Sequence, residues 1–243
     1  MAESFLLGVL GGMGPLAAVD FQYKLIQATP AERDQQQLPH VVWNVPQIND
    51  RQKALAGSGP SPLPQMQRGI EALNRAGASH IVIACNTAHH WFDALAAVSR
   101  APLLHIADVT VAAIAAQTQR PQRVGLIATG GTLAAGWFQQ RLAQLDITTL
   151  TPTDDELRED FVPGCYAVKR GALREGGEHL ARLADALTAR GAQQLVLACT
   201  EVPLALAAVS SRHMAVAIDP AQALAQHCAA LWQACLEEQR FAH

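Results

Sequence analysis

No Cys-x-x-Cys pair, no run of lysines or arginines and no apolar stretch of membrane-spanning length occurs in this 243-residue chain. Each absence removes a class of protein. Five cysteines, an odd number with no short even spacing, fit reduced thiols rather than a disulfide framework, and the usual zinc and redox spacings are missing. A net charge of −3 without a basic run offers nothing to a phosphate backbone, so no nucleic acid partner is expected. Nothing approaches the ~18 apolar residues that a bilayer requires, so no membrane partner is expected either. The start, MAESFLLGVLGG, lacks a basic leader region and its apolar stretch is broken by glycines. The expectation is therefore no signal peptide and a soluble, cytoplasmic protein.

What the chain does have is apolar residues, half of the total, ample for a core in one large domain or two smaller ones. They alternate between short β-branched runs and Ala/Leu-rich helical segments. Runs 5–12, 40–45, 80–85, 102–106, 123–129, 147–152, 194–199 and 214–218 read as buried strands. Segments 15–28, 64–76, 108–118, 133–144 and 175–190 carry helical spacing. Residues 57–64 read as a flexible loop, and Asp219 as the N-cap of a final helix that starts at Pro220. This alternation predicts an α/β class with parallel sheets covered by helices.

An internal repeat divides the chain. Residues 8–27 and 125–144 align without gaps at nine of twenty identical positions, and residues 66–85 and 180–199 at eight of twenty. The second pairing sets Gly77 with Gly191 and Cys85 with Cys199. The fold expected is two similar α/β domains related by a pseudo-two-fold. The first covers 1–108, with the C-terminal helix 219–238 packing back on it, and the second covers 109–218.

Both matched cysteines fall at the carboxyl end of a strand, where parallel α/β sheets bind ligands. The motifs there read HIVIACNTAHH and QLVLACTEVPL. Two facing thiols suit removal of a proton from one side of a carbon and its return to the other, with thiolate as base and thiol as acid. A helix N-terminus or a cation would lower either thiol toward neutrality. Asn86, Thr87 and Thr200 place hydroxyl, amide and backbone donors beside the thiols, where they can also hold a carboxylate. Cys165, Cys228 and Cys235 have no such context, and the last two read as packing. His89 and His90 invite a metal reading, but no third ligand follows at a recognisable spacing, so they read as structural or supporting. Glu201 reads equally as an orienting group for Cys199 and as a helix cap.

The set GVLGGMGPLA, NDRQ, ACNTAHH, GLIATGGT, YAVKRG and ACTEVPL resembles the aspartate/glutamate racemase superfamily, in its aspartate racemase-like branch. The Asp-Ser-Gly type opening of the glutamate racemase branch is absent. The resemblance implies an isomerase with its active site in the cleft between two α/β domains, racemising aspartate, glutamate or both. It implies no cofactor, with Cys85 and Cys199 as the opposed acid and base. It nominates Arg51 and Lys169 as carboxylate anchors, for which a guanidinium fork and an ammonium are suited. Met13, in the GGMGP turn, is expected to line the pocket, with Thr129 and Thr132 as weaker candidates in the equivalent turn. Segment 46–64 is expected to close over the site. A homodimer is the assembly the family implies, and an acidic amino acid the small-molecule partner. Two alternatives stand beside this reading. One is a related isomerase or racemase of maleate, a hydantoin or neutral amino acids, and the other is a dicarboxylate-binding clamp without turnover.

Overall fold

A computed structural model describes residues 5–241, so the first four residues of the segment read as lacking a leader lie outside the described ones. The strands are β1 (Leu7–Gly11), β2 (His40–Asn44), β3 (His80–Ile83), β4 (Arg123–Ala128), β5 (Thr148–Leu150), β6 (Gln194–Ala198) and β7 (Ala217–Ile218). The helices through the middle of the chain are α1 (Pro15–Ala28), α2 (Arg51–Leu55), α3 (Leu63–Arg75), α4 (Phe92–Ala96), α5 (Ile106–Ala115), α6 (Gly130–Ala135) and α7 (Trp137–Ala143). They are followed by α8 (Asp154–Glu156), α9 (Val162–Lys169), α10 (Leu173–Ala189), α11 (Glu201–Ala208) and α12 (Pro220–Phe241). Among the described residues no helix is long and apolar enough to cross a membrane.

The chain folds as two compact units. One runs to Ile106 and resumes at Ala221, and the other is Ala107–Pro220. In the first, parallel strands lie in the order β2-β1-β3, and Leu103 adds a parallel bridge to Ile81. In the second the order is β5-β4-β6-β7, again parallel throughout. The two orders are one topology, with β1 and β4 central and the 103 bridge standing where β7 stands. Within the first unit α12 is fastened by Trp232, whose Nε1 donates to the Gln36 carbonyl at 3.1 Å and whose ring centroid lies 5.5 Å from that of Phe5.

The repeat extends to packing. Gly8 in β1 and Gly125 in β4 occupy equivalent positions, and a methyl group on either would collide with its surroundings. At Gly8 it would come within 2.9–3.3 Å of Ala78, Ile81 and Leu73, and at Gly125 within 2.7–3.2 Å of Leu195, Ala192 and Leu187. Those are the same three positions in the two halves: 73 with 187, 78 with 192 and 81 with 195. Each unit thus needs a glycine in its central strand so that the helix before the next strand can lie directly on it.

Four expected elements differ. Residues 102–106 make only the 103 bridge, because α5 begins at Ile106. Residues 147–152 pair only over β5. The run 214–218 pairs only at 217–218, because Ser211 Oγ accepts from His213 N–H and starts a 3₁₀ turn over Arg212–Val216. The helix expected over 133–144 is two helices, since Gly136 takes φ 73°, the left-handed conformation that ends α6.

Candidate active site

Cys85 and Cys199 come just after β3 and β6, the strands on the same side of each central strand. Both are buried, and each is followed by helix: a 3₁₀ turn over Thr87–Trp91 after Asn86, and α11 after Thr200. The surroundings of the two thiols are otherwise unlike.

In the first unit Cys85 packs in one apolar cluster with Met13, Ile48 and Ala88. Met13 reaches that cluster through the turn after β1, where Gly12 has φ 87° and a Cβ would lie 2.3 Å from the Val45 carbonyl oxygen. Only glycine fits there. Next to Cys85, Asn86 is 2% exposed, and neither its Oδ1 nor its Nδ2 has a partner. Each unmade bond on a buried polar atom costs about 1–3 kcal/mol, so this amide is suited to a polar ligand as donor and acceptor. Thr87 is buried beside it.

Arg51 opens α2, which packs against the 87–91 turn. The start of the helix is fixed by Asp50, whose carboxylate accepts from Gln52 N at 2.8 Å and Lys53 N at 3.1 Å. The Arg51 side chain is only 8% exposed. Its Nη1 donates to the Ile48 and Asn49 carbonyls at 3.2 and 3.0 Å, and its Nε is buried without a partner. No carboxylate pairs with it among the described residues. A buried guanidinium with an open edge is suited to an anionic ligand. Segment 46–64, expected to close over the site, is hydrogen-bonded to the first turn of α3. Asn49 N–H donates to Gln65 Oε1 at 2.8 Å, Gln65 Nε2 to the Gln47 carbonyl at 2.9 Å, and Asn49 Nδ2 to the Ser61 carbonyl at 3.1 Å.

His89 ties this site to the rest of its unit. Nδ1 donates to the Cys85 carbonyl at 2.9 Å and lies 3.3 Å from that of Asn86, while Nε2 accepts from Ile106 N–H at 3.2 Å. Those partners require a neutral ring protonated on Nδ1. Burial first, then the neighbouring His105, push its pKa down to about 3. Both ring nitrogens are committed, so His89 is structural; His90 is exposed and packs its ring edge against Trp91.

In the second unit Cys199 Sγ donates to Glu201 Oε2 at 3.0 Å, and Thr200 Oγ1 donates to the same oxygen at 3.2 Å. Cys165 Sγ lies 3.7 Å from Cys199 Sγ. The adjoining Cys165 sulfur, burial and the Glu201 charge, in that order, hold the Cys199 thiol well above its ordinary range. This corrects the expectation of a lowered thiol, because the adjoining sulfur and burial, reinforced by the Glu201 carboxylate, all disfavour the thiolate. Glu201 is the first residue of α11 and is buried. Its carboxylate accepts the hydrogen bond of Cys199, and Cys165, which sequence reasoning left without a role, touches the same sulfur. Cys228 is fully buried packing, its thiol pushed up to about 12 by burial.

Lys169 ends α9 on the surface, with Nζ 4.8 Å from the centre of the Tyr166 ring. Thr129 and Thr132 form the cap of α6: Thr129 Oγ1 accepts from Thr132 N–H at 3.2 Å and lies 3.0 Å from Thr132 Oγ1. They are thereby engaged with each other inside the unit.

Comparison with known proteins matches residues 10–228 to the family described as Asp/Glu/Hydantoin racemase. The chain is similar to the aspartate racemase of Picrophilus torridus, with a TM-score of 0.83 and 29% identity over 95% of each chain. An aspartate racemase homologue from Pyrococcus horikoshii OT3 shares the fold, with a TM-score of 0.70 and 22% identity over 95% of this chain and 100% of that one. The glutamate racemase of Corynebacterium kroppenstedtii is 35% identical over 160 residues, 62% of this chain and 53% of that enzyme. The match thus spans about half the length of that curated relative.

Proposed function

The chain belongs to the Asp/Glu/hydantoin racemase family, and on that premise we propose that it racemises aspartate or glutamate without a cofactor, by proton transfer between Cys85 and Cys199. The observation that supports this reading most is the recurrence of one arrangement in both units. A buried thiol follows the strand beside the central one, in two halves whose central strands pack on equivalent residues.

In this reading a thiolate removes the α-proton and a thiol returns a proton to the opposite face, after which the roles are exchanged. The α-proton is weakly acidic, so the charge that develops on the carboxylate needs preorganised donors. Asn86, with its open amide, and Arg51, with its open Nε, are the groups in the first unit that supply them. The buried surroundings strengthen each such contact. Lys169 is the anchor assigned to a second carboxylate, and Thr87 and Thr200 complete the polar edge beside the thiols. Because Glu201 holds the Cys199 proton in line toward itself, Cys199 enters the cycle as the proton donor and Cys85 as the base.

The decisive experiment is proton NMR in D₂O with L-aspartate and L-glutamate separately, beside Cys85→Ser and Cys199→Ser. Loss of the α-proton signal with appearance of the D-enantiomer, abolished in both variants, is expected. Absence of exchange with either acid would remove the acidic-substrate assignment, and activity surviving in either variant would remove the two-thiol mechanism.

A homodimer belongs to the same reading, and α1 is the face we assign to it. Leu16, Val19, Tyr23 and Ile26 are 43%, 53%, 62% and 48% exposed, at alternating spacings of three and four that place them on one stripe. The only charges on α1, Asp20 and Lys24, form an ion pair with each other, so two copies would meet without like-charge repulsion. Two such stripes remove on the order of 800 Å² from water, most of the lower bound of ~1,200 Å² for a stable interface. A two-fold pairing of α1 with its own copy is the self-complementary solution.

A further inference from the structure

The second unit brings two thiols together where the first has one. Cys165 Sγ on α9 is 3.7 Å from Cys199 Sγ, whereas the apolar cluster that holds Cys85 contains no second cysteine. The approach is fixed by packing. Both cysteines belong to one buried cluster with Phe161, Leu180 and Val202. Beside Cys165, Gly164 lets α9 rest directly on α10. A Cβ at Gly164 would lie 2.9 Å from Leu180 Cγ, and one at Gly176 would lie 2.8 Å from the Gly164 carbonyl oxygen. Sulfur atoms held at 3.7 Å need to close by under 2 Å to reach the ~2.05 Å of a disulfide.

We propose that Cys165 and Cys199 are a modification site, closing to a reversible disulfide when Cys199 meets a small hydroperoxide. Burial of both thiols selects an oxidant of that size over a bulky disulfide. As Glu201 Oε2 takes its proton, the Cys199 sulfur attacks the peroxide. An S–O bond forms and the O–O bond breaks, and the thiol proton, passed through Glu201, ends on the departing alkoxide. Cys165 then attacks the sulfenic sulfur, the S–S bond forms, the S–O bond breaks and water leaves. Two thiols and one hydroperoxide thus become one disulfide, one alcohol and one water. Without a neighbouring thiol the sulfenic acid would continue to the irreversible sulfinic acid, so Cys165 acts as the resolving cysteine. The disulfide occupies Cys199 and takes it out of proton transfer. That consequence rests on the racemase reading, whereas the bond itself does not.

The test exposes the full chain to hydrogen peroxide, quenches in acid, alkylates the unfolded protein and maps its peptides by mass spectrometry. The expected product is the Cys165 peptide joined to the Cys199 peptide, two hydrogens lighter than the reduced pair, with Cys85 alkylated. Dithiothreitol should return both thiols. Racemase activity should fall at least ~10-fold with the cross-link and return with reduction, since general acid–base groups contribute ~10²–10⁴-fold. Cys165→Ala should lose the cross-link, and dithiothreitol should no longer rescue it. Cys199 recovered as sulfinic acid beside a free Cys165, Cys199 joined to another cysteine, or both thiols recovered after exposure that oxidises them in the unfolded chain would each overturn the proposal. A cross-linked protein that never racemised any substrate would keep this site and sink the functional reading instead.

Discussion

Cys199 Sγ and Thr200 Oγ1 donate to one and the same oxygen, Glu201 Oε2, at 3.0 and 3.2 Å. A carboxylate there opposes a thiolate at Cys199. Glu201→Gln keeps the shape and an acceptor oxygen but removes the charge, so the Cys199 thiol should lose its proton at lower pH than in the unaltered protein. The limb of the pH–kcat/KM profile that belongs to Cys199 should shift downward with both enantiomers as substrate. Profiles that superimpose on those of the unaltered protein would mean that Glu201 does not act on the reacting thiol.

Arg51 presents a different kind of group, a buried cation whose Nε–H has no partner. Arg51→Lys keeps the charge and loses the fork and its Nε. A charge-assisted hydrogen bond is worth about 1.5–3 kcal/mol, so kcat/KM should fall roughly 10- to 100-fold. Most of the change should appear in KM if the bond is made equally to substrate and transition state. An unaltered KM and kcat for both acids would place the substrate carboxylate elsewhere.

Much of this arrangement is legible in the sequence for physical reasons. A continuous apolar run interrupted by glycine marks a central parallel strand, and Gly8 and Gly125 turn out to be the positions that a helix presses on. A polar pair directly after an apolar run marks a strand end, which located Cys85 and Cys199. Cys165 was not legible, because its contact with Cys199 spans 34 residues and depends on how closely α9 lies on α10 at Gly164 and Gly176. The open amide of Asn86 was equally out of reach, since a missing hydrogen bond is a property of the folded surroundings. The α1 stripe was hidden for another reason. Ala17, Ala18, Phe21 and Leu25 make the opposite face apolar too, so only the fold decides which face is core.

His89 makes a stability prediction. It bridges the Cys85 carbonyl and Ile106 N–H with a ring that stays neutral down to about pH 3. His89→Phe fills similar volume and strands both backbone groups, which should cost about 2 kcal/mol and lower Tm by roughly 4–8 °C for a chain of this size. The pH dependence follows from linkage. The unfolded chain binds a proton at this residue near pH 6.5, while the folded protein does not until about pH 3. Its contribution is therefore complete above pH 6.5 and declines as pH falls toward 3. The urea midpoint should drop between pH 7 and pH 5 in the unaltered protein, and less so in His89→Phe. Equal drops in the two proteins would assign the acid sensitivity to other groups.

The exposed stripe on α1 makes a prediction about assembly. Val19 and Tyr23 are its two most exposed members and sit four residues apart on one face. Lysine at both positions adds four like charges to a two-fold seam whose existing α1 charges, Asp20 and Lys24, are paired, at no cost to the core, which α1 meets through Phe21 and Leu25. Light scattering coupled to size exclusion should give a dimer for the unaltered chain and a monomer for Val19→Lys/Tyr23→Lys, with the same Tm at high dilution, where both are monomers. A dimer that survives the double substitution would mean that the second copy docks elsewhere. A monomer in both would mean that this stripe is not an interface between copies. Activity measured across the same dilution series then separates assembly from chemistry. If each subunit carries a complete site, kcat should be unchanged in the monomer, because the apolar cluster that holds Cys85, Met13 and Ile48 contains no residue of α1.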